Sequence, residues 1–276
     1  KAVNRIHSYE QIKPLVKTAR DFNYQSINID LIYGLPKQTL SSLSDTLDKV
    51  IALDVDRIAF YNYAHMPDRF PTQRSIDRMD LPSADEKLSM LNLISQRLSA
   101  AGYLYIGMDH FVKPDDTLAK AQREGKLQRN FQGYSTSRSH YLVAMGVSSI
   151  SDGENYFAQN ARQIEAYYAA LDAGILPVEK GFIVSDDDKK HRAVIMSIIS
   201  NLHLDIAAWE DRFEEDFFNY FADAIPKLQQ MEKDGILRFD RWKIHVTDSG
   251  RAMLRNICMV FDAYSHSDTL KFSKVL

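Results

Sequence analysis

Short apolar runs, each followed by an amphipathic helical pattern, recur through the first two-thirds of the chain, and this alternation limits the fold more than any other feature. "SINIDLIYGL" is a compact apolar run of the kind expected for a strand buried on both faces. Pro36 and Gln38 lead into a helix whose inner face carries Leu40, Leu43, Leu47, Val50 and Ile51. "RIAFYNYA" repeats the strand, and a helix follows from Ser83 to about Ala101, with Ser83 and Glu86 spaced as a capping box. "YLYIGMDHF" is expected as a third strand leading to a helix near Asp115 to Arg123, and "HYLVAMGVSSI" as a fourth. Ahead of them, "YEQIKPLVKTARDF" sets Ile12, Leu15, Val16, Ala19 and Phe22 on one helical face. Repeated βα units of this type imply an α/β sheet or barrel with its chemistry at the carboxyl ends of the strands.

Past Pro177 the pattern changes. "DKKHRAVIMSIISNL" and "FFNYFADAIPKLQQMEKDG" read as helices, "ILRFDRWKIHVT" as a hairpin turning near Asp240 and Arg241, and "TDSGRAMLRNICMVFDAY" as a closing helix. Together they are winged-helix-like. The expected domains are 1–176 and 177–276. A length of 276 residues accommodates two such cores.

Net charge of −3 provides no global basic field for nucleic acid, and no run reaches the ~20 apolar residues of a membrane span. The first residues have no apolar core of a signal peptide, and the chain opens on Lys1, which suits an internal fragment. The single cysteine, Cys258, lies in the apolar run "MLRNICMVF" and reads as a small buried hydrophobe in a reducing, cytoplasmic compartment. One cysteine cannot build a site that needs several.

Several polar residues stand out against this frame. Asp30 sits inside an apolar run, where a carboxylate needs either a capping role or a polar ligand. Gly34 would let backbone come close to such a ligand. Tyr63 and His65 end the next strand at the equivalent height and could face the same ligand, with His65 read as a hydrogen-bonded loop residue ahead of a catalyst. Asp109 and His110 end the third, a polar pair that is a weak metal signal because strand neighbours point oppositely. Arg123, Lys126, Arg129 and Arg138 share a loop segment with Phe131 and Tyr134; such cations are either solvated or a clamp for a carboxylate-rich ligand. Arg251 and Arg255 lie among Met253, Leu254 and Ile257, too apolar a setting for a surface that enters a DNA groove.

"NIDLIYGLPKQT", "FNYAH", "GYLYIGMDHFVKPDD", "AQREGKLQRNFQGY", "MGVSSIS" and "RNICMVFDAY" together resemble the oxygen-independent coproporphyrinogen III oxidase family, the coproporphyrinogen dehydrogenases, which are radical S-adenosylmethionine (SAM) enzymes of haem synthesis. The likeness runs the length of the chain; "DLIYGLP" is shared by related radical SAM proteins, whereas "GMDHF" with "NFQGY" is more specific. It implies an incomplete TIM-like radical SAM barrel followed by a mainly helical, winged-helix-like domain. It also implies oxidative decarboxylation of two propionates of coproporphyrinogen III to vinyls, giving protoporphyrinogen IX. The cofactors would be SAM and a [4Fe–4S] cluster supplied by an electron donor, in a cytoplasmic monomer that needs neither nucleic acid nor membrane.

Carried over by motif, Arg5, Asp30, Ala64 and Ile150 resemble SAM contacts, with Gln132, Asp109 and His110 as further SAM or substrate candidates. Arg123, Arg129 and Arg138 are candidates for propionate recognition on charge alone. The family's CxxxCxxC cluster motif does not occur in these 276 residues, so its ligands are expected upstream and this chain alone is expected to be inactive. A haem-binding relative of the superfamily, or a winged-helix module for nucleic acid, are the competing readings.

Overall fold

The computed structural model describes Val3, residues 5–137 and residues 141–264. The chain forms two compact units that meet in sequence at Lys120 and Ala121. That division lies well before the change of pattern after residue 176, because the short strands beyond Ala121 pair among themselves rather than extending the first sheet.

The first unit runs α1 (Tyr9–Asp21), β1 (Asn28–Tyr33), α2 (Leu40–Ala52), β2 (Arg57–Asn62), α3 (Ala84–Ala100), β3 (Leu104–Gly107), β4 (His110–Val112) and the start of α4 (Thr117–Arg123). Its sheet order is β1-β2-β4-β3. Side-chain hydroxyls close the amino ends of three helices: Ser8, Thr39 and Ser83 each accept from the backbone three residues on, and each donates its own N–H to the side chain of that residue. Leu43, Leu47 and Val50 of α2 and Met90, Ile94 and Leu98 of α3 are buried against Ile58, Phe60 and Tyr33 of the sheet.

Three strand expectations are corrected. β1 is not buried on both faces: Ile29, Leu31 and Tyr33 turn to the core while Asn28, Asp30 and Ile32 are exposed. Helices cover only one side of this sheet, so the pleat sends alternate residues to the other. The segment "YLYIGMDHF" is a hairpin rather than one strand, because Met108 (φ 44°) and Asp109 (φ 69°) take the left-handed conformation of a two-residue turn. β4 then runs antiparallel to β2, leaving β1–β2 as the parallel pair of this sheet. Among the described residues of "HYLVAMGVSSI", 141–150, only Ile150 is in a strand, and Leu142 makes a single bridge to Asp152.

The second unit contains the hairpin β5 (Gln128–Asn130) and β6 (Gly133–Ser135), then β7 (Ile150–Asp152), β8 (Tyr156–Asn160), α5 (Ile164–Asp172) and β9 (Val178–Ile183). After these come α6 (Asp186–Asn201), β10 (His203–Asp205), α7 (Ile206–Phe213), α8 (Phe217–Tyr220), α9 (Ile225–Lys233), β11 (Leu237–Phe239), β12 (Lys243–Val246) and α10 (Leu254–Met259). β7, β8 and β9 form one antiparallel sheet and β10, β12 and β11 another, the latter including the expected hairpin.

The run 217–235 is broken into α8 and α9, with Pro226 in the first turn of α9 where its missing N–H costs nothing. The closing helix is shorter than its pattern and is preceded by a 3₁₀ turn over Ser249–Met253. Gly250 in that turn lies so close to Ile236 that a Cβ would stand 1.8 Å from its carbonyl oxygen. Leu254, Ile257 and Cys258 of α10 are buried, which favours packing over groove contact for this helix. Burial pushes the Cys258 thiol up to about 12.

Two predictions follow from this packing. Leu47→Ala should lower stability by about 3 kcal/mol in denaturant unfolding of this chain, against less than about 0.5 kcal/mol for Leu15→Ala on the exposed side of α1. Cys258 should react with a thiol-specific disulfide reagent at pH 8 more than about a hundred-fold slower in the native chain than in denaturant; equal rates would contradict its burial.

Candidate functional site

Two places gather the residues singled out by the sequence, one in each unit. In the first unit, the cross-strand rung Asp30–Ala59–His110 puts all three side chains on the sheet face away from α2 and α3. Ile32 and Tyr61 form the next rung, and the Tyr61 and His110 rings meet edge-on at 6.0 Å. Asp30 is exposed and accepts a 2.6 Å hydrogen bond from the Asn28 side-chain amide. The result is one carboxylate acceptor on a largely apolar and aromatic platform.

Around the carboxyl ends of β1 and β2 the candidates have separate tasks. Ala64 uses its carbonyl to accept from Gln73 Nε2 at 3.1 Å, fixing the loop after β2. Burial raises the Tyr63 phenol above its usual range. His65 Nδ1 is buried with no hydrogen-bond partner among the described residues, which departs from the hydrogen-bonded loop histidine expected. Gly34 has φ +78°, and a Cβ there would lie 3.0 Å from Lys87 Cε and 3.3 Å from Asn62 Oδ1. The space beside Gly34 is thus filled by this chain's own side chains rather than kept for a ligand. Asp109 lies in the hairpin turn, and His110 Nδ1 is 2.5 Å from the Met108 carbonyl, so the pair is oriented by the turn. Among the described residues no cluster of His, Cys, Asp or Glu is arranged to hold a metal ion.

In the second unit a cavity of about 590 Å³ opens between α6, β5, the β7–β8–β9 sheet and the segment Phe261–Tyr264. One side is the α6 stripe Asp188, His191, Arg192, Ile195, Met196 and Ile199, spaced as a single helical face. Opposite it, Asp152, Phe157 and Phe182 form one rung across three strands. Phe131 meets Phe157 edge-on at 5.4 Å, and Phe182 meets Tyr264 at 5.9 Å, making an aromatic wall.

The two arginines of this cavity differ. Arg192 donates to Asp152 at 2.7 Å and to the Gly153 carbonyl at 3.2 Å, and stacks at 5.0 Å over Phe157. Arg129 stacks at 4.9 Å over Tyr134, whose hydroxyl is itself fixed on the Ile199 carbonyl at 2.8 Å. Arg129 Nη1 is buried and finds no acceptor among the described residues.

Of the other candidates, Arg5, Arg123 and Gln132 are exposed, and Arg138 lies outside the described residues. Gln132 occupies the β5–β6 turn with its N–H on Asn130 Oδ1 at 2.9 Å. Ile150 is half-buried in β7, two residues before Asp152. Sequence reasoning found Arg129 but missed Arg192, Phe157, Phe182 and Tyr264. A usable signal for Arg192 was present: it is charged, yet sits on the same helical stripe as Ile195, Met196 and Ile199.

The HemN C-terminal domain family model matches residues 184–253. The oxygen-independent coproporphyrinogen III oxidase of Pseudomonas aeruginosa is 48% identical over 277 residues, covering 100% of this chain and 60% of that protein. That of Thermostichus vulcanus is 41% identical, covering 100% of this chain and 85% of the relative. The solved structure of coproporphyrinogen III oxidase (HemN) from Escherichia coli, described as a radical SAM enzyme, superposes with a TM-score of 0.92 at 45% identity, over 95% of this chain and 61% of that one. This chain therefore spans about 60% of the length of the first of these relatives. The likeness supports a partial α/β domain followed by a mainly helical part, and the chain belongs to the oxygen-independent coproporphyrinogen III oxidase family.

Proposed function

We propose that this chain acts, as part of a longer protein, in the oxygen-independent oxidation of coproporphyrinogen III, converting two propionates to vinyls with release of CO₂. The observation that carries this reading is similarity across the whole chain, including the segments that build both candidate sites. From each side arm the reaction removes CO₂, one proton and two electrons: abstraction of a hydrogen atom takes the proton with one electron, and the second electron must pass to an acceptor as CO₂ leaves. It therefore needs a strong one-electron oxidant and a site from which water is excluded.

The residues present fit SAM. Asp30 offers an exposed carboxylate for the ligand's amine or hydroxyl donors, and Ile32 and Tyr61 offer apolar surface beside it. By resemblance to the family, and not by their placement, Arg5, Ala64 and Ile150 are read as further SAM contacts, with Gln132, Asp109 and His110 as additional SAM or substrate contacts. When bound, SAM supplies hydrogen-atom abstraction from the propionate. The same residues do not fit a [4Fe–4S] cluster. Cys258 is the one cysteine of the 276, it lies in the core, and its thiol is held in the protonated form. The cluster's ligands would come from residues outside these 276, and the reading also calls for an electron donor to the cluster. The reading places the protein in the cytoplasm as a monomer; no described helix is long and apolar enough to cross a membrane.

The test is made in the longer protein carrying the three-cysteine motif, reconstituted with iron in the absence of oxygen. It should form 5′-deoxyadenosine and vinyl product from coproporphyrinogen III; formation of neither would end the proposal. In that protein Asp30→Ala should weaken SAM binding by about tenfold, the scale of one charge-assisted hydrogen bond. An unchanged calorimetric affinity would remove Asp30 from the site.

A further inference from the structure

We propose that the cavity of the second unit is a subsite for a single carboxylate, in which the Arg129 guanidinium grips one acid arm of a pyrrole lying along Phe131, Phe157 and Phe182. This assignment rests on the tetrapyrrole reading above and adds the position and selectivity of the acid contact. Three observations carry it.

The first is the unequal state of the two arginines. Arg192 is committed to Asp152 and the Gly153 carbonyl. Arg129 is positioned by stacking on Tyr134 and has a buried nitrogen with no acceptor among the described residues. Burying a guanidinium nitrogen without a partner is costly, and a planar fork suits a carboxylate that bonds through both oxygens. Arg123, which shares the basic segment, is exposed at the end of α4 and does not line this cavity.

The second is the charge of the lining. Arg192 is neutralised by Asp152, and Asp188 and Asp262 also line the cavity. Asp188 accepts from Ser185 and from the Tyr264 hydroxyl, so it is held as a carboxylate. One anion is welcome at Arg129, whereas a second on the same ring would enter an acidic surround. The third is shape: about 590 Å³ with an aromatic wall is within the range of ligand pockets and takes a ring with its side arm. Coproporphyrins carry one acid arm on each pyrrole and uroporphyrins carry two.

Fluorescence titration of this chain with coproporphyrin III, its tetramethyl ester and uroporphyrin III tests the proposal. The free acid should bind, and Arg129→Met should weaken it by about tenfold or more while leaving the ester unchanged. Arg129→Lys, which keeps the charge and loses the fork, should fall between. Uroporphyrin III should bind the wild-type chain at least several-fold more weakly than coproporphyrin III. Circular dichroism checks folding, and if Arg129→Met does not fold, the Arg129→Lys comparison of acid against ester decides.

The subsite is overturned if the wild-type chain does not bind the acid. It is overturned equally if the Arg129 variants leave acid affinity unchanged, if acid and ester weaken together, or if both porphyrin acids bind alike. Failure here with vinyl product still formed by the longer protein leaves the enzymatic reading standing. Arg129-dependent acid binding without any oxidation in that protein ends the enzymatic reading and leaves the subsite.

Discussion

Ile58 and Phe60, both essentially inaccessible to solvent, press the β2 strand onto α2 and α3, and the chemistry available to the first unit depends on that contact. A pleated strand that commits alternate residues to a core must present the others on its far side. Tyr61 is therefore set outward beyond the covered Ala59, and the parallel neighbour β1 follows with Asp30 and Ile32. Slipping β1 by one residue would drive Asp30 into the core. The register is held at its start by a partly shielded clasp: Arg57 Nε donates to Asp116 at 2.8 Å, and the same carboxylate accepts from the Leu118 amide at 2.8 Å. Asp116 thereby serves both the beginning of β2 and the first turn of α4.

The second unit uses a helix in the complementary way. α6 buries Val194 and Ile198 on one side and turns Arg192, Ile195, Met196 and Ile199 toward the cavity. Facing it, three short consecutive strands contribute one residue each to a single rung, so a wall of two phenylalanines and an aspartate is assembled by cross-strand pairing. Arg192 is drawn to that aspartate and flattened on Phe157. Arg129 arrives from a separate hairpin and stays uncommitted, so two residues of the same type acquire different electrostatic roles from their surroundings.

Helices with strong local signals were legible from the sequence. The Ser83–Glu86 box begins α3 where its spacing indicates, and of the apolar face read for α2, Leu43, Leu47 and Val50 are core, Ile51 is half-buried and Leu40, at the first position of the helix, is exposed. The strand reading erred where tertiary context decides. "NIDLIY" looks doubly buried because isoleucines occupy both faces, but only one face has helices to cover it. Met108 and Asp109 lack the glycine that usually announces a tight hairpin turn, so the reversal in "GMDHF" was hidden. The cavity was half legible: Arg129 stood out in a basic segment, while Phe157 and Phe182 meet only through cross-strand pairing that periodicity does not reveal.

The stacked but unmatched guanidinium of Arg129 has a thermodynamic corollary. A shielded cationic nitrogen with no acceptor among the described residues raises the free energy of the native state relative to the unfolded chain, where water solvates it. Whatever anion satisfies it returns that difference through mass action, so the melting temperature of the second unit is linked to the concentration of its own guest. Occupancy and foldedness become two readings of one equilibrium.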